Sequence, residues 1–266
     1  MSAAVVEMRR TRMRQSTALA RRAIIATARQ PQNLVPALVM PLVFSALNSA
    51  ALSKTMHLPG FPKVDSYVDF LLATTICQGV LFGSAAAGND MAIDIETKFF
   101  DRLLASPVSR PAILVGRVAG SGVLAGAQAI LFMLVLAPFG ASVKAGLPGI
   151  IALVLAAAFL GAGVGAISVA LAIKTGSAEA VQSAFPLFFA FLFFSSGYFP
   201  RNLMHGWFHS LVSANPITWM VEGMRHLVIR DFAINQVAQA LAVPIAVFVV
   251  GTVLASLALR ARIASR

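Results

Sequence analysis

Six stretches without a single Asp, Glu, Lys or Arg constrain this chain more than any motif does. They are Gln30–Ser53, Phe70–Asn89, Val118–Val143, Ala145–Ile173, Ala180–Pro200 and Phe232–Leu259, each of 20 residues or more. About 20 apolar residues in a helix cross the roughly 30 Å of hydrocarbon in a bilayer. Inside lipid a backbone must satisfy its own N–H and C=O groups, which makes these runs helices. Composition agrees: 58% of the 266 residues are hydrophobic and 12% charged, against about 25% charged in soluble domains. The runs predict an all-α membrane protein with six transmembrane helices in one domain, residues 31–266. The spans are placed at about 33–53, 68–91, 112–139, 147–173, 180–197 and 235–259.

Six spans put both termini on one side. That side would hold Arg9, Arg10, Arg12, Arg14, Arg21, Arg22, Arg29, Lys98, Arg102, Arg110, Arg117, Lys174, Arg260, Arg262 and Arg266, fifteen of the 21 Lys and Arg. By the positive-inside rule both termini face the cytoplasm. The net charge of +11 thus reads as an insertion signal rather than a nucleic-acid surface. Residues 1–30 carry seven arginines and no apolar core with a cleavage site, unlike a signal peptide. An organellar transit peptide shares that composition. The preferred reading is an amphipathic interfacial helix, roughly 3–29, whose arginines meet anionic headgroups at about 1 kcal/mol each. Cys77, the one cysteine, excludes an intrachain disulfide and a cysteine-based zinc site.

Glycines four apart, at Gly79/Gly83, Gly116/Gly120, Gly122/Gly126 and Gly161/Gly165, predict close helix approach, either within the bundle or on a face that seals against a partner. "GAGVGA" at 161–166 is not a dinucleotide site, because no strand precedes it. Pro36 and Pro41 predict an irregular start to span one. Residues 195–231 are too polar to span yet hold Trp207, Phe208, Trp219 and Met224, which suits short helices at the outer interface. There Pro216 occupies a first helical position. Ile217, Val221, Met224 and Val228 form one apolar stripe, and Glu222 and Arg225 are spaced to meet.

Enzymatic signals are weak. "HGWFH" spaces His205 and His209 like two zinc ligands, but the glutamate of a metalloprotease helix and a third ligand are missing. The chain contains no G-x-x-x-x-G-K-[ST] and no G-x-S-x-G, so it has no P-loop of its own for ATP and no hydrolase elbow. The six runs hold no charge, which argues against ion coupling. Their amides Asn48, Gln78, Gln128 and Gln182 read as interhelical hydrogen-bonding groups or as the lining of a substrate path.

One charged island interrupts the apolar chain: "IDIETKFFDRLLASPVSRP", residues 93–111. Ile95, Phe99, Phe100, Leu103 and Leu104 recur at helical spacing, while Asp94 and Glu96 in the first turn and Arg102 later complement a helix dipole. The residues alone leave two readings, a passive connector or a lever whose phenylalanines, each able to bury about 150–250 Å², dock a cytoplasmic protein.

With "ETKFFDRLLASPVSRPAILVGR" at 96–117, "GYFPRNLM" at 197–204 and "ANPITWMVEGMRHLV" at 214–228, the chain resembles the membrane subunits of type-two ABC exporters, in particular daunorubicin-resistance-like permeases. The resemblance implies a multi-pass protein of the bacterial inner (plasma) membrane that exports drugs, lipids or polysaccharides. It implies two permeases, identical or homologous, with two copies of an ABC ATP-binding subunit. ATP and Mg would reside in that partner, with no cofactor and no catalysis in this chain. The 94–106 segment becomes the coupling helix, with Glu96, Phe99, Phe100, Asp101, Arg102 and Leu104 as the docking surface. Asn215, Pro216, Glu222 and Arg225 fall in an outer gate of re-entrant helices. The uncharged interior favours hydrophobic drugs or lipids as cargo. The rivals are a transporter or channel working without an ATPase, a lipid-modifying enzyme using Glu222, His205, His209 or His226, and a purely structural membrane scaffold, which the folded-back outer segment disfavours.

Overall fold

The computed structural model describes residues 17–22, 24–25, 31–106 and 110–264, and every regular element among them is helical. After helical residues 17–22 and 24–25 come α1 Pro31–Leu52, α2 Tyr67–Glu96, α3 Phe99–Ala105, α4 Arg110–Leu136 and α5 Gly146–Thr175. They are followed by α6 Ala178–Ser183, α7 Phe185–Phe193, α8 Gly206–Ala214, α9 Pro216–Ile229 and α10 Ile234–Ala264. Five of these, α1, α2, α4, α5 and α10, are long and apolar enough to cross a membrane. They coincide with five of the six predicted spans.

The fifth predicted span, 180–197, folds differently. It breaks at Ala184 into α6 and α7, because Pro186 in the first turn of α7 has no N–H to continue a ladder. Residues 178–193 at 1.5 Å each reach about 24 Å, less than the roughly 30 Å of hydrocarbon. Non-helical residues follow, up to the turn at Arg201–Leu203. The rest of the predicted interfacial helix, residues 3–16, 23 and 26–29, lies outside the described residues, as do 107–109.

Two helices form the centre. α2 and α5 pack on each other, and α4, α10 and α1 surround them. α2 begins where Ser66 Oγ accepts from Val68 N (3.0 Å). α5 ends at Gly176, whose left-handed φ of 71° suits a residue without Cβ. The closest helix pair is α5 with α10: a Cβ on Gly251 would lie 2.4 Å from Gly163 O, a backbone approach only glycine permits. Gly79, Gly161 and Gly165 likewise face α4 of the same chain, so these glycines serve internal packing.

The bundle has two chemically distinct ends. The basic end gathers Arg22, Lys98, Arg102, Arg117, Lys174 and Arg262 around a core of Met91, Ile95, Phe100, Ile113, Val169 and Leu259. At the opposite end α9 packs against α2 and α8 packs on α9, with Met220, Val221, Met224 and Leu227 of α9 in the main core. There an aromatic group, Phe61, Tyr67 and Phe70, closes the bundle.

Candidate functional site

At the basic end α2 runs on through Asp94 and Glu96, so a single 94–106 helix does not form. Thr97 Oγ1 donates to Ile93 O (2.8 Å), Lys98 takes a left-handed φ of 59°, and α3 restarts at Phe99. Ile95 and Phe99 therefore do not share a helix face. The turn also separates the two phenylalanines. Phe100 is fully buried in the core beneath α3, which corrects its expected place on a docking surface: it anchors α3 from inside. Phe99 stays half-buried, with the Arg22 guanidinium 4.1 Å and that of Arg102 5.8 Å from its ring centre. Glu96 and Arg102 are exposed, and Asp101 and Leu104 half-buried. Glu96 accepts weakly from Ala178 N at the start of α6 (3.4 Å).

Just behind α3 lies an ion cluster that spacing did not single out. Asp94 on α2 pairs with Arg117 on α4 and, at 3.4 Å, with Arg22 of the N-terminal helix. The nearby crossing is tight, since a Cβ on Gly116 would sit 2.6 Å from Leu19 Cβ. The N-terminal helix, α2 and α4 are thus tied at the root of α3. Asp94 belongs to this tie rather than to the first turn of a coupling helix.

At the opposite end Asn215 and Arg225 do the connecting. Asn215 Oδ1 accepts from Ile217 N (2.9 Å) and caps α9, with Pro216 next. Its Nδ2 donates to Phe191 O (2.7 Å) and Phe194 O (2.6 Å), carbonyls at the end of α7 that no helical N–H can reach. Arg225 is 4% exposed and turns into the bundle. Its Nε donates to Phe70 O (3.0 Å), its Nη2 to Ser196 O (2.9 Å) and Gly197 O (2.7 Å), and its guanidinium stacks 3.7 Å from the Phe70 ring centre. The expected Glu222–Arg225 pair is not made; Glu222 pairs with Arg201 across 3.4 Å. Around Arg225, Thr74 Oγ1 donates to Gly197 O (2.8 Å), Tyr198 OH to Gln78 Oε1 (3.1 Å) and Ser196 N to Thr218 Oγ1 (3.2 Å). Burial, then Arg230, holds the His226 imidazole below its usual value.

The four amides do not meet on one path. Asn48 Nδ2 bonds back to Phe44 O (2.7 Å), Gln78 faces Tyr198, and Gln182 is exposed near Asn89 (3.5 Å). Gln128 lines a cavity and donates to Ala37 O (2.6 Å). That cavity, about 220 Å³ between α1, α2 and α4, has apolar walls with Ser84, Asp90, Arg117 and Ser121 as further polar groups. Among the described residues no group of three His, Cys, Asp or Glu is placed to hold a metal.

Known proteins share this layout of sequence. Residues 14–229 match the family described as ABC-2 type transporter. The chain is similar to the daunorubicin resistance ABC transporter permease protein DrrB1 of Streptomyces coeruleorubidus. The two are 27% identical over 213 residues, which cover 77% of this chain and 72% of that protein. It is also similar to ycf38 of Cyanophora paradoxa (27% over 214 residues) and of Porphyra purpurea (25% over 212 residues), whose descriptions name a transport permease; both matches cover 79% of this chain and 72% of the relative. With the family match covering most of its length, the chain belongs to the ABC-2 type transporters, as a multi-pass membrane permease component.

Proposed function

We propose that this permease is driven through α3 by a separate ATP-binding subunit and exports hydrophobic drugs or lipids. The observation that carries the proposal is the division of labour in α3. Phe100 fixes the helix to the core while Phe99, Arg102, Asp101 and the neighbouring Glu96 remain on its accessible side. A rod held this way moves as one piece with α2, because Asp94 and Ile95 at its root belong to that long helix. Force on Phe99 would then reach α4 through Arg117 and the N-terminal helix through Arg22. ATP and Mg are handled in the partner, and this chain contributes no catalysis.

In this reading the basic end faces the cytoplasm and the protein makes six crossings. The fifth crossing is α6 and α7 completed by non-helical residues 194–199. Irregular backbone survives at membrane depth only when buried in protein with its polar groups satisfied, and Asn215, Thr218 and Arg225 supply those partners. α8 and α9 then form the outer gate, with Glu222–Arg201 on its rim. The exposed apolar side of α1, Val35, Val39, Val43 and Leu47, suits a second permease across a central path, with two ATP-binding subunits below.

The test is Phe99→Ala in the complete transporter, reconstituted in vesicles with its ATP-binding subunits. The expected result is continued ATP hydrolysis with loss of substrate export. Unchanged export would refute docking through α3. Uphill transport by the permease alone would favour the ATPase-independent transporter instead.

A further inference from the structure

Where α5 and α10 run toward the basic end, beyond their contact at Gly163 and Gly251, a lateral groove of about 860 Å³ opens between them. Ile167 and Leu171 of α5 and Leu254 and Leu257 of α10 form its walls. Leu254 and Leu257 are 44% and 55% exposed, so the groove opens sideways, toward the side of α10 that no helix among the described residues covers. Its end is different. Lys174 and Arg262, contributed by separate helices, close it at the level where both helices stop. Arg262 Nη1 donates to Ile173 O (2.8 Å), which fixes the guanidinium at the mouth. Lys174, exposed beside it, makes no ion pair among the described residues. Glu96, the acid on the adjoining end of α2, is turned to Ala178 N (3.4 Å).

Apolar walls below and two cations above reproduce the polarity of a phospholipid, chains beneath a phosphate. From Ile167 to Lys174 the groove runs about 10 Å along the helix, the outer part of one leaflet's hydrocarbon. Its volume lies within the roughly 300–1,000 Å³ of ligand sites. Basic pockets between membrane helices select anionic headgroups, and an arginine fork matches phosphate oxygens. We infer that this groove binds an anionic phospholipid such as phosphatidylglycerol, its phosphate between Lys174 and Arg262 and its chains along Leu254 and Leu257. Assignment to the cytoplasmic leaflet rests on the orientation proposed above; the site itself does not, nor does it depend on an ATPase.

Native mass spectrometry of the purified, delipidated full chain tests it. The protein is titrated with phosphatidylglycerol or phosphatidylcholine of identical chains, and separately with glycerol phosphate. The expected result is a preference for phosphatidylglycerol that drops roughly 30-fold in Lys174→Gln/Arg262→Gln, about fivefold per cation, and is kept by Arg262→Lys. Leu257→Trp, which leaves both cations in place, should weaken both lipids by filling the groove; it serves as the reading if loss of the Arg262–Ile173 bond prevents folding. A preference unchanged within threefold in the double variant would overturn the proposal. So would unchanged lipid binding in Leu257→Trp, or glycerol phosphate binding as well as the lipid. Because no nucleotide or partner is present, a negative result leaves the coupling reading intact, and a failure of coupling leaves this site intact.

Discussion

Replacing Arg225 by lysine asks whether the buried cation works by charge or by shape. The guanidinium spans acceptors that lie on two elements, Phe70 O on α2 and Ser196 O and Gly197 O on the non-helical segment. A lysine keeps the charge but presents one nitrogen, which can serve one of these two sites. Hydrogen bonds to charged groups contribute about 1.5–3 kcal/mol each, and a desolvated cation–π contact about 2 kcal/mol. Gly197 O keeps a donor in Thr74, so its loss counts least. One lost charged bond plus the Phe70 stack gives roughly 3–5 kcal/mol. The more strongly hydrated ammonium adds to it rather than relieving it. Arg225→Gln loses the stack but removes the buried charge, and should cost about 2–3 kcal/mol. At 2–4 °C per kcal/mol for chains near this size, thermal melting in detergent should fall about 10 °C for the lysine variant and less for glutamine. A lysine variant within 2 °C of the parent, or clearly better than glutamine, would refute the fork. It would show that attraction between position 225 and Glu222 outweighs the backbone bonds.

Other consequences are as direct. Phe100→Ala removes a fully buried ring and should lower stability by about 3–5 kcal/mol, whereas Phe99→Ala should melt like the parent; equal melting of the two would contradict the burial pattern. Gly251→Ala drives a Cβ to 2.4 Å from Gly163 O and should cost about 1–3 kcal/mol by overpacking. Gly126→Ala meets nothing closer than 3.4 Å and should fold normally, so similar yields of the two would show that the α5–α10 contact is not tight. Asp94→Asn leaves the partly buried Arg117 without its carboxylate and should destabilise by about 1–3 kcal/mol, with part recovered in Asp94→Asn/Arg117→Met; additive melting losses would mean the pair is uncoupled.

Five of the spans were legible because an uncharged run of helical length has few other fates in a membrane. The fifth run passed the same test and still broke, and the signal lay in "SAFP": the proline N–H is missing just where α7 has to start. The turn at Lys98 had no such signal. Spacing placed Ile95 and Phe99 on one helix, yet the pair Phe99–Phe100 could satisfy a core from either register. Only the packing of Met91, Ile113 and Leu114 against α3 selects Phe100 as the inward ring. Likewise nothing in the spacing of Asp94 and Arg117, 23 residues apart, shows that two antiparallel helices bring them side by side.

Arg225 is the instructive case, because the sequence held its address and a weaker pattern hid it. The stripe of Ile217, Val221, Met224 and Val228 proved to be the inward face, with the last three buried and Ile217 packed against them. Arg225 follows Val221 by four residues, so it lies on that stripe, while Glu222 lies a full residue's rotation away and reaches Arg201 instead. A charged residue on an apolar stripe is tolerable only where acceptors are waiting, and helices offer few. The acceptors here belong to residues 196–197, where the broken fifth run has left carbonyls without a ladder. The early end of α7 at Phe193 in one segment and the misplaced-looking arginine in another are therefore two halves of one arrangement. If α7 were extended past Arg201, the N–H of Arg201 would compete for Gly197 O, while Ser196 O would stay free for Arg225 because Pro200 has no N–H to offer it.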